Sequence, residues 1–316
     1  MAEHEGHVHG PTSGRKLWIS LVVTLVFCAG EAAAGLVSHS LALLSDAGHN
    51  LSDALALGLA AYAVWAMQRP AAGKHTYGYY RVATLTALFN AVTLVVIALF
   101  IGFEAVGRFR HPEPVGGSLM IWVATVSVLM NTVIALALSG DAKKSLNSKA
   151  AFVHMAGDAL SSLAVVIAGV IVHFTGWPYA DPVVSVLIAV FILASAVGIV
   201  KDTSDILMEK APKDIDLEAL ANGIKSIDPV CGVHDLHVWT VGEGKTLLSC
   251  HVALPAGSSL EETCQAIDRV SKMLGSEFAI GHATIQPEVD GLCVVAQADT
   301  FYCTMSDPDE AEHHRH

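Results

Sequence analysis

Two short motifs place a histidine four residues before an aspartate in mostly apolar surroundings. They are His49-Asn-Leu-Ser-Asp53, inside SDAGHNLSD, and His154-Met-Ala-Gly-Asp158. On a helix, positions i and i+4 share a face, so each motif presents one imidazole and one carboxylate together. Two imidazole nitrogens and two carboxylate oxygens are the ligand set of a tetrahedral Zn2+ site. Co2+ would fit nearly as well, because ligand type and geometry set selectivity more than raw affinity does. Mg2+ and Ca2+, which want six or more oxygens, are disfavoured. Either motif alone could be an interhelical hydrogen bond; two identical ones argue for a ligand set. Asp46 shares the face of His49 and Asp53 one turn further out and reads as a neighbour of the site, not a ligand.

Those residues need elements that hold them at matching depth. The 316 residues are 53% hydrophobic and 15% charged, against about a quarter charged in ordinary soluble domains. Apolar runs long enough to cross about 30 Å of hydrocarbon occur at residues 17–37, 41–67, 82–106, 118–139, 148–173 and 180–200. Six spans put both ends of the chain on one side, and the basic residues say which. Arg15 and Lys16, then Arg69, Lys74 and Arg81, then Lys143, Lys144 and Lys149, then Lys201 and Lys210 all fall on the same side, with only Arg108 and Arg110 opposite. By the positive-inside rule both termini are cytoplasmic. Spans two and five run antiparallel. At about 1.5 Å per residue, Asp53 and Asp158 each lie roughly 15–18 Å along their helices, near the midplane. His49 then comes level with Asp158, and Asp53 with His154. Ionisable groups at that depth are costly and mark a functional site.

The remaining third of the chain is different. Up to Lys210 there are 12 basic and 13 acidic residues; from Ala211 onward there are 6 and 17, so nearly all of the net charge of −12 is C-terminal. That balance excludes nucleic acid as a partner. Residues 214–227 read as an amphipathic helix, 233–241 and 245–254 as strands, 259–274 as a helix and 278–288 as a third strand. The α-β-β-α-β order predicts a small two-layer α/β domain. The reading gives a His-bearing N-terminal tail at 1–16, a six-span domain at 17–205, a soluble domain at 206–290 and a tail at 291–316. The polar first residues carry no signal-peptide pattern. Five of the six cysteines lie in the soluble part and read as reduced thiols. The GEGKT stretch at 242–246 is not a phosphate-binding loop: the required Gly position holds Trp239 and no helix follows.

SLALLSDAGHNLSDALAL (40–57) and HMAGDALSSLAVV (154–166) together resemble the cation diffusion facilitator family, in its zinc/cobalt/cadmium efflux branch. The resemblance extends to HTYGYYRVATLTAL (75–88), ADPVVSVLIAVFIL (180–193) and VHDLHVWTV (233–241), and so covers nearly the whole chain. It implies a homodimer of six-span subunits in the bilayer with a cytoplasmic ferredoxin-like, metallochaperone-like domain, exchanging divalent metal for protons. It implies that His49, Asp53, His154 and Asp158 are the transport-site ligands of a zinc-preferring member; relatives with Asp in the first position are more permissive towards cadmium. By the same resemblance His234, His251 and His282 bind regulatory Zn2+ in the cytoplasmic domain, and Glu288 ends the third strand. His237, an odd number of positions from His234, is expected on the opposite face with Trp239. His75 is retained in the loop after span two, but Tyr79 stands where some bacterial members have a second histidine, which leaves His75 a guide for ions. The short GDAKKSLNS loop lacks the His-rich insert of many eukaryotic relatives, which points to a prokaryotic inner-membrane protein. The His4, His7 and His9 cluster reads either as a gatherer of metal near the entrance or as a plain polar tail, the terminal His313, His314 and His316 carry no assigned role, and the spacing of Cys293 and Cys303 matches no compact zinc motif, so they read as solvent-exposed thiols.

Two other classes compete. An intramembrane metalloenzyme would need a catalytic base, as in H-E-x-x-H, and none is present in the sequence. A membrane-anchored metal sensor would use the spans only as an anchor and carry no flux. A cobalt- or cadmium-preferring transporter is the variant within the favoured class.

Overall fold

The computed structural model describes residues 14–139, 146–242 and 244–290. Six long helices account for the six apolar runs: α1 (Gly14–Ser38), α2 (Leu41–Met67), α3 (Arg81–Arg110), α4 (Gly117–Ser139), α5 (Leu146–Thr175) and α6 (Ala180–Leu207). By length and composition α2 to α6 can each cross a bilayer, while the apolar stretch found in α1 covers Thr24–Ser38. After them come α7 (Leu217–Lys225), β1 (Gly232–Gly242), β2 (Lys245–Leu254), α8 (Leu260–Glu277) and β3 (Ile280–Val289). The chain divides into two compact units, one of residues up to Tyr62 with Thr86–Lys201, the other of Ala63–Leu85 with the residues from Asp202 onward.

In the first unit the core is drawn from α2 to α6: Leu43, Leu94, Ile101, Met120, Val165, Ile188 and Ile192 are among its buried members. Outward positions such as Phe100, Phe103, Trp122 and Phe174 are large, apolar and exposed, as a lipid-facing surface requires. Lipid offers no hydrophobic drive between helices, so close packing relies on small residues. Gly169 on α5 shows this: a Cβ there would meet Ile121 Cγ1 of α4 at 2.9 Å.

The start of α2, which sets the height of the His49–Asp53 motif, is held at three points. His39 adopts a left-handed φ of 55° and ends α1. Ser40 caps α2, its Oγ accepting from Leu43 N–H at 3.1 Å. Asp181, wholly buried on α6, accepts from Leu41 N–H at 2.8 Å, Ala42 N–H at 3.2 Å and Ser40 Oγ at 2.6 Å. These bonds satisfy donors that every helix start leaves open. Arg108 reaches Asp181 at 3.7 Å and donates to the His39 carbonyl.

The second unit carries a three-stranded sheet in the order β1-β2-β3, with β1 and β2 antiparallel and β2 and β3 parallel. Helix α7 is capped by Asp216, and α8 opens with a reciprocal Ser259–Glu262 capping box. Those two serine bonds hold the Glu262 carboxyl below the usual carboxylate range. Leu220 and Ile224 of α7 and Val270 and Leu274 of α8 pack on Val233, Leu236, Val238, Leu248, Cys250 and Val252 of the sheet. The opposite face carries the polar residues taken up below.

One sequence expectation about that face fails. His234 pairs with His251, but His237 pairs with Ser249, so β1 has one extra residue between them. Asp235 takes it up with a φ of 52°. A bulge of this kind resets the alternation of side chains. His237 therefore shares the face of His234 and His251, and Leu236 returns to the core.

Candidate metal centres

Helices α2 and α5 carry their motifs at the same height. His49 and Asp53 fall eight and twelve residues after the first residue of α2, and His154 and Asp158 eight and twelve after that of α5. The four side chains meet. His49 Nε2 lies 3.0 Å from Asp158 Oδ1 and 3.7 Å from Asp53 Oδ2; His154 Nε2 lies 3.3 Å from Asp53 Oδ2 and 3.7 Å from Asp158 Oδ2. The rings are edge to face, 6.0 Å apart. Each imidazole faces both carboxylates; one ligand atom from each of His49, Asp53 and Asp158 falls within 4.8 Å of the others, and His154 approaches that trio from the side of the two carboxylates. Asp53 Oδ2 and His49 Nδ1 are buried with no hydrogen-bond partner. An oxygen flanked by two imidazole nitrogens yet bonded to neither is placed as a co-ligand would be. Asp158 is 4% exposed and His49 12%, whereas Asp53 is 28% and His154 47% exposed, so one edge of the cluster opens outward.

Asp46 stands beside this cluster in a polar nest of its own. Ser162 Oγ donates to its Oδ2 at 2.7 Å, Ser127 Oγ at 3.3 Å, and Ser127 and Ser162 are bonded at 2.9 Å. Those contacts join α2 to α4 and α5. Glu31 on α1, fully buried, accepts from Asn50 Nδ2 at 2.9 Å. Glu31 was not singled out in the sequence reading, although a lone acid inside an apolar span is a signal.

A second cluster sits on the open face of the sheet. His234 Nε2 lies 3.1 Å from Glu288 Oε2, and His251 Nδ1 lies 2.9 Å from Glu288 Oε1. One ligand atom from each of His234, His251 and Glu288 falls within 4.8 Å of the others. His234 Nε2 is buried without a hydrogen bond although Glu288 Oε2 lies 3.1 Å away. Two nitrogens and one oxygen are donors of the kind that Zn2+ takes. His282 is on the same face but pairs with Leu247, while His251 pairs with Gln286. Six residues of strand, about 20 Å, separate it from Glu288, and its ring instead faces Tyr77 at 6.3 Å. The expected trio thus becomes His234, His251 and Glu288. His75 lies against Tyr79, ring centres 4.5 Å apart, and joins neither cluster. Cys250 is packed in the core on the opposite face of the sheet and faces away from this cluster; burial pushes its thiol up to about 12. His4, His7, His9, Cys293, Cys303, His313, His314 and His316 lie outside the described residues.

Residues 17–208 match the family model for the cation efflux transmembrane domain, and residues 212–290 match that for the cytoplasmic domain of cation efflux proteins. The chain belongs to the cation efflux family. It is a multi-pass membrane transporter of divalent cations and not an enzyme. This cation efflux protein is 33% identical, over 98% of its own length and the full length of the relative, to the cadmium, cobalt and zinc/H(+)-K(+) antiporter of Bacillus velezensis. It is 39% identical to the zinc transporter ZitB of Escherichia coli, over 89% of the chain and 90% of the relative. It is 35% identical to the metal cation efflux system protein CzcD of Cupriavidus metallidurans, over 90% of each.

Proposed function

We propose that this transporter exports Zn2+ from the cytoplasm in exchange for protons, with His49, Asp53, His154 and Asp158 as the ligands of the moving ion. The observation that carries the reading is the cluster of two imidazoles and two carboxylates contributed by α2 and α5, with Asp53 Oδ2 buried and unbonded between two ring nitrogens. Zn2+ needs deprotonated ligands, so metal and protons compete for the same four side chains. Imidazole titrates near neutral pH, where modest changes decide occupancy. Facing the cytoplasm, the ligands lose protons and take the metal; facing outward, protons arriving down their gradient displace it. Rocking of helices around a fixed midplane site is the general transporter solution. The names of the relatives, zinc transporter and zinc/H(+)-K(+) antiporter, support both the ion and the exchange.

The protein works as a homodimer in the inner membrane, with both termini cytoplasmic. Residues 17–205 form the transport domain and 206–290 the cytoplasmic domain. In the latter, His234, His251 and Glu288 hold a regulatory Zn2+ that senses cytosolic metal and biases the cycle. The test is zinc uptake into inverted vesicles under an imposed pH gradient: acid inside should drive uptake, and collapse of the gradient should abolish it. Uptake indifferent to the gradient would refute exchange with protons.

A further inference from the structure

We infer that Asp235 is the positioning residue of the cytoplasmic metal centre: it holds the Nε2–H of His251, so that Nδ1 is the nitrogen presented to the metal. The inference rests on the reading of His234, His251 and Glu288 as a metal centre, and deepens it. The two nitrogens of His251 face different carboxylates. Nδ1 lies 2.9 Å from Glu288 Oε1, on the side where His234 Nε2 also converges, and Nε2 lies 3.4 Å from Asp235 Oδ2. A neutral imidazole has one bare nitrogen and one N–H, so a metal on Nδ1 requires the hydrogen on Nε2, directed at Asp235. Ligating histidines regularly give their other N–H to a carboxylate, which fixes ring plane and tautomer and raises basicity.

The local fold is built for this contact. Without the extra residue in β1, position 235 would alternate onto the face covered by α7 and α8. The bulge, with Asp235 in the left-handed region at φ 52°, keeps the carboxylate beside His251. Asp and Asn are the side chains other than glycine that adopt this region most readily. The bulge also brings His237 onto the same face, and its Nε2 lies 3.1 Å from Asp235 Oδ1. One carboxylate oxygen is thus steadied by His237 while the other faces His251. His237, expected from simple alternation to point away, becomes the clamp on the clamp.

The experiment uses the full-length protein carrying Asp53→Ala and Asp158→Ala, so that zinc binding reports the cytoplasmic centre. Zinc affinity is measured by competition with an indicator, and the tautomer of His251 by 15N NMR, its signals assigned by their loss in His251→Gln. Asp235→Ala should weaken binding by about 10–100-fold, the usual effect of removing such a partner, and should turn the metal-free His251 from a single Nε2–H form into a mixture. Asp235→Asn suits the same backbone and still offers an acceptor, so it should lose less than Asp235→Ala and keep the Nε2–H form. Binding by Asp235→Ala within about threefold of the parent, well short of that range, would overturn the inference, as would zinc shifting Nε2 of His251 in place of Nδ1. Parent binding that survives His234→Ala would instead overturn the metal-centre reading, and the inference with it.

Discussion

Asp158→Asn probes the proposed transport site with the least change in shape. Asp158 presents one oxygen to each imidazole, at 3.0 Å and 3.7 Å, from a position 4% exposed. The amide keeps one acceptor but turns an NH2 towards a ring nitrogen, and so removes a ligand and a charge. Four-ligand structural zinc sites bind with apparent free energies of about 10–16 kcal/mol. An equal share is roughly 3 kcal/mol per ligand, or on the order of a hundredfold in Kd. Asp53 is 28% exposed, so water can take the position vacated in Asp53→Asn, and that loss should be smaller. Both are measured by zinc titration of full-length protein carrying Glu288→Ala, which removes a ligand of the proposed cytoplasmic centre. A loss for Asp158→Asn of only a few-fold, or a larger loss for Asp53→Asn, would refute the argument that burial grades the ligands.

Three further outcomes follow from other parts of the structure. Asp181→Ala strips the buried acceptor from two backbone N–H groups, Ser40 and Arg108; breaking such a buried charge pair costs about 3–5 kcal/mol, and a thermal-shift assay in detergent should show a clear drop in melting temperature. Gly169→Ala drives a methyl group into Ile121 and should destabilise by about 1–3 kcal/mol, whereas Gly198→Ala, with nothing within 4 Å of the added carbon, should leave the melting temperature unchanged or raise it. Because only the thiolate alkylates, and the Cys250 thiol is pushed up to about 12, on the order of one Cys250 in ten thousand is ionised at pH 8; peptide mass spectrometry should find the exposed Cys231 and Cys264 modified at that pH and Cys250 spared until the pH rises several units.

The proximity of the four side chains proposed as the transport site was legible because its signal is local. An i, i+4 pair on each of two helices fixes which face the side chains share, and the expected antiparallel run of the two spans fixes their height, so the sequence alone sets His49, Asp53, His154 and Asp158 against one another. The cytoplasmic centre was legible only in part, because its geometry depends on register. Period-two alternation assigns faces correctly until a residue is inserted, and nothing in VHDLHVW announces that Asp235 bulges. The family resemblance put His282 in the trio; the parallel pairing of Leu247 with His282 places it away along the strand, and Glu288 stands beside His234 and His251 instead. Asp181 shows a third kind of gap. It reads as an ordinary acid at the start of a helix, yet its hydrogen bonds go to the first turn of α2, more than a hundred residues earlier, and only tertiary structure can show that.

On the proposed mechanism the divalent ion crosses through the four-ligand centre. Full-length protein reconstituted into proteoliposomes, loaded with radioactive zinc under a fixed pH gradient, tests it with wild type beside Asp158→Ala, both checked for equal insertion. Wild type should carry zinc at a rate that follows the gradient, and Asp158→Ala should be reduced to the leak of empty liposomes. Undiminished zinc flux in Asp158→Ala would contradict the account.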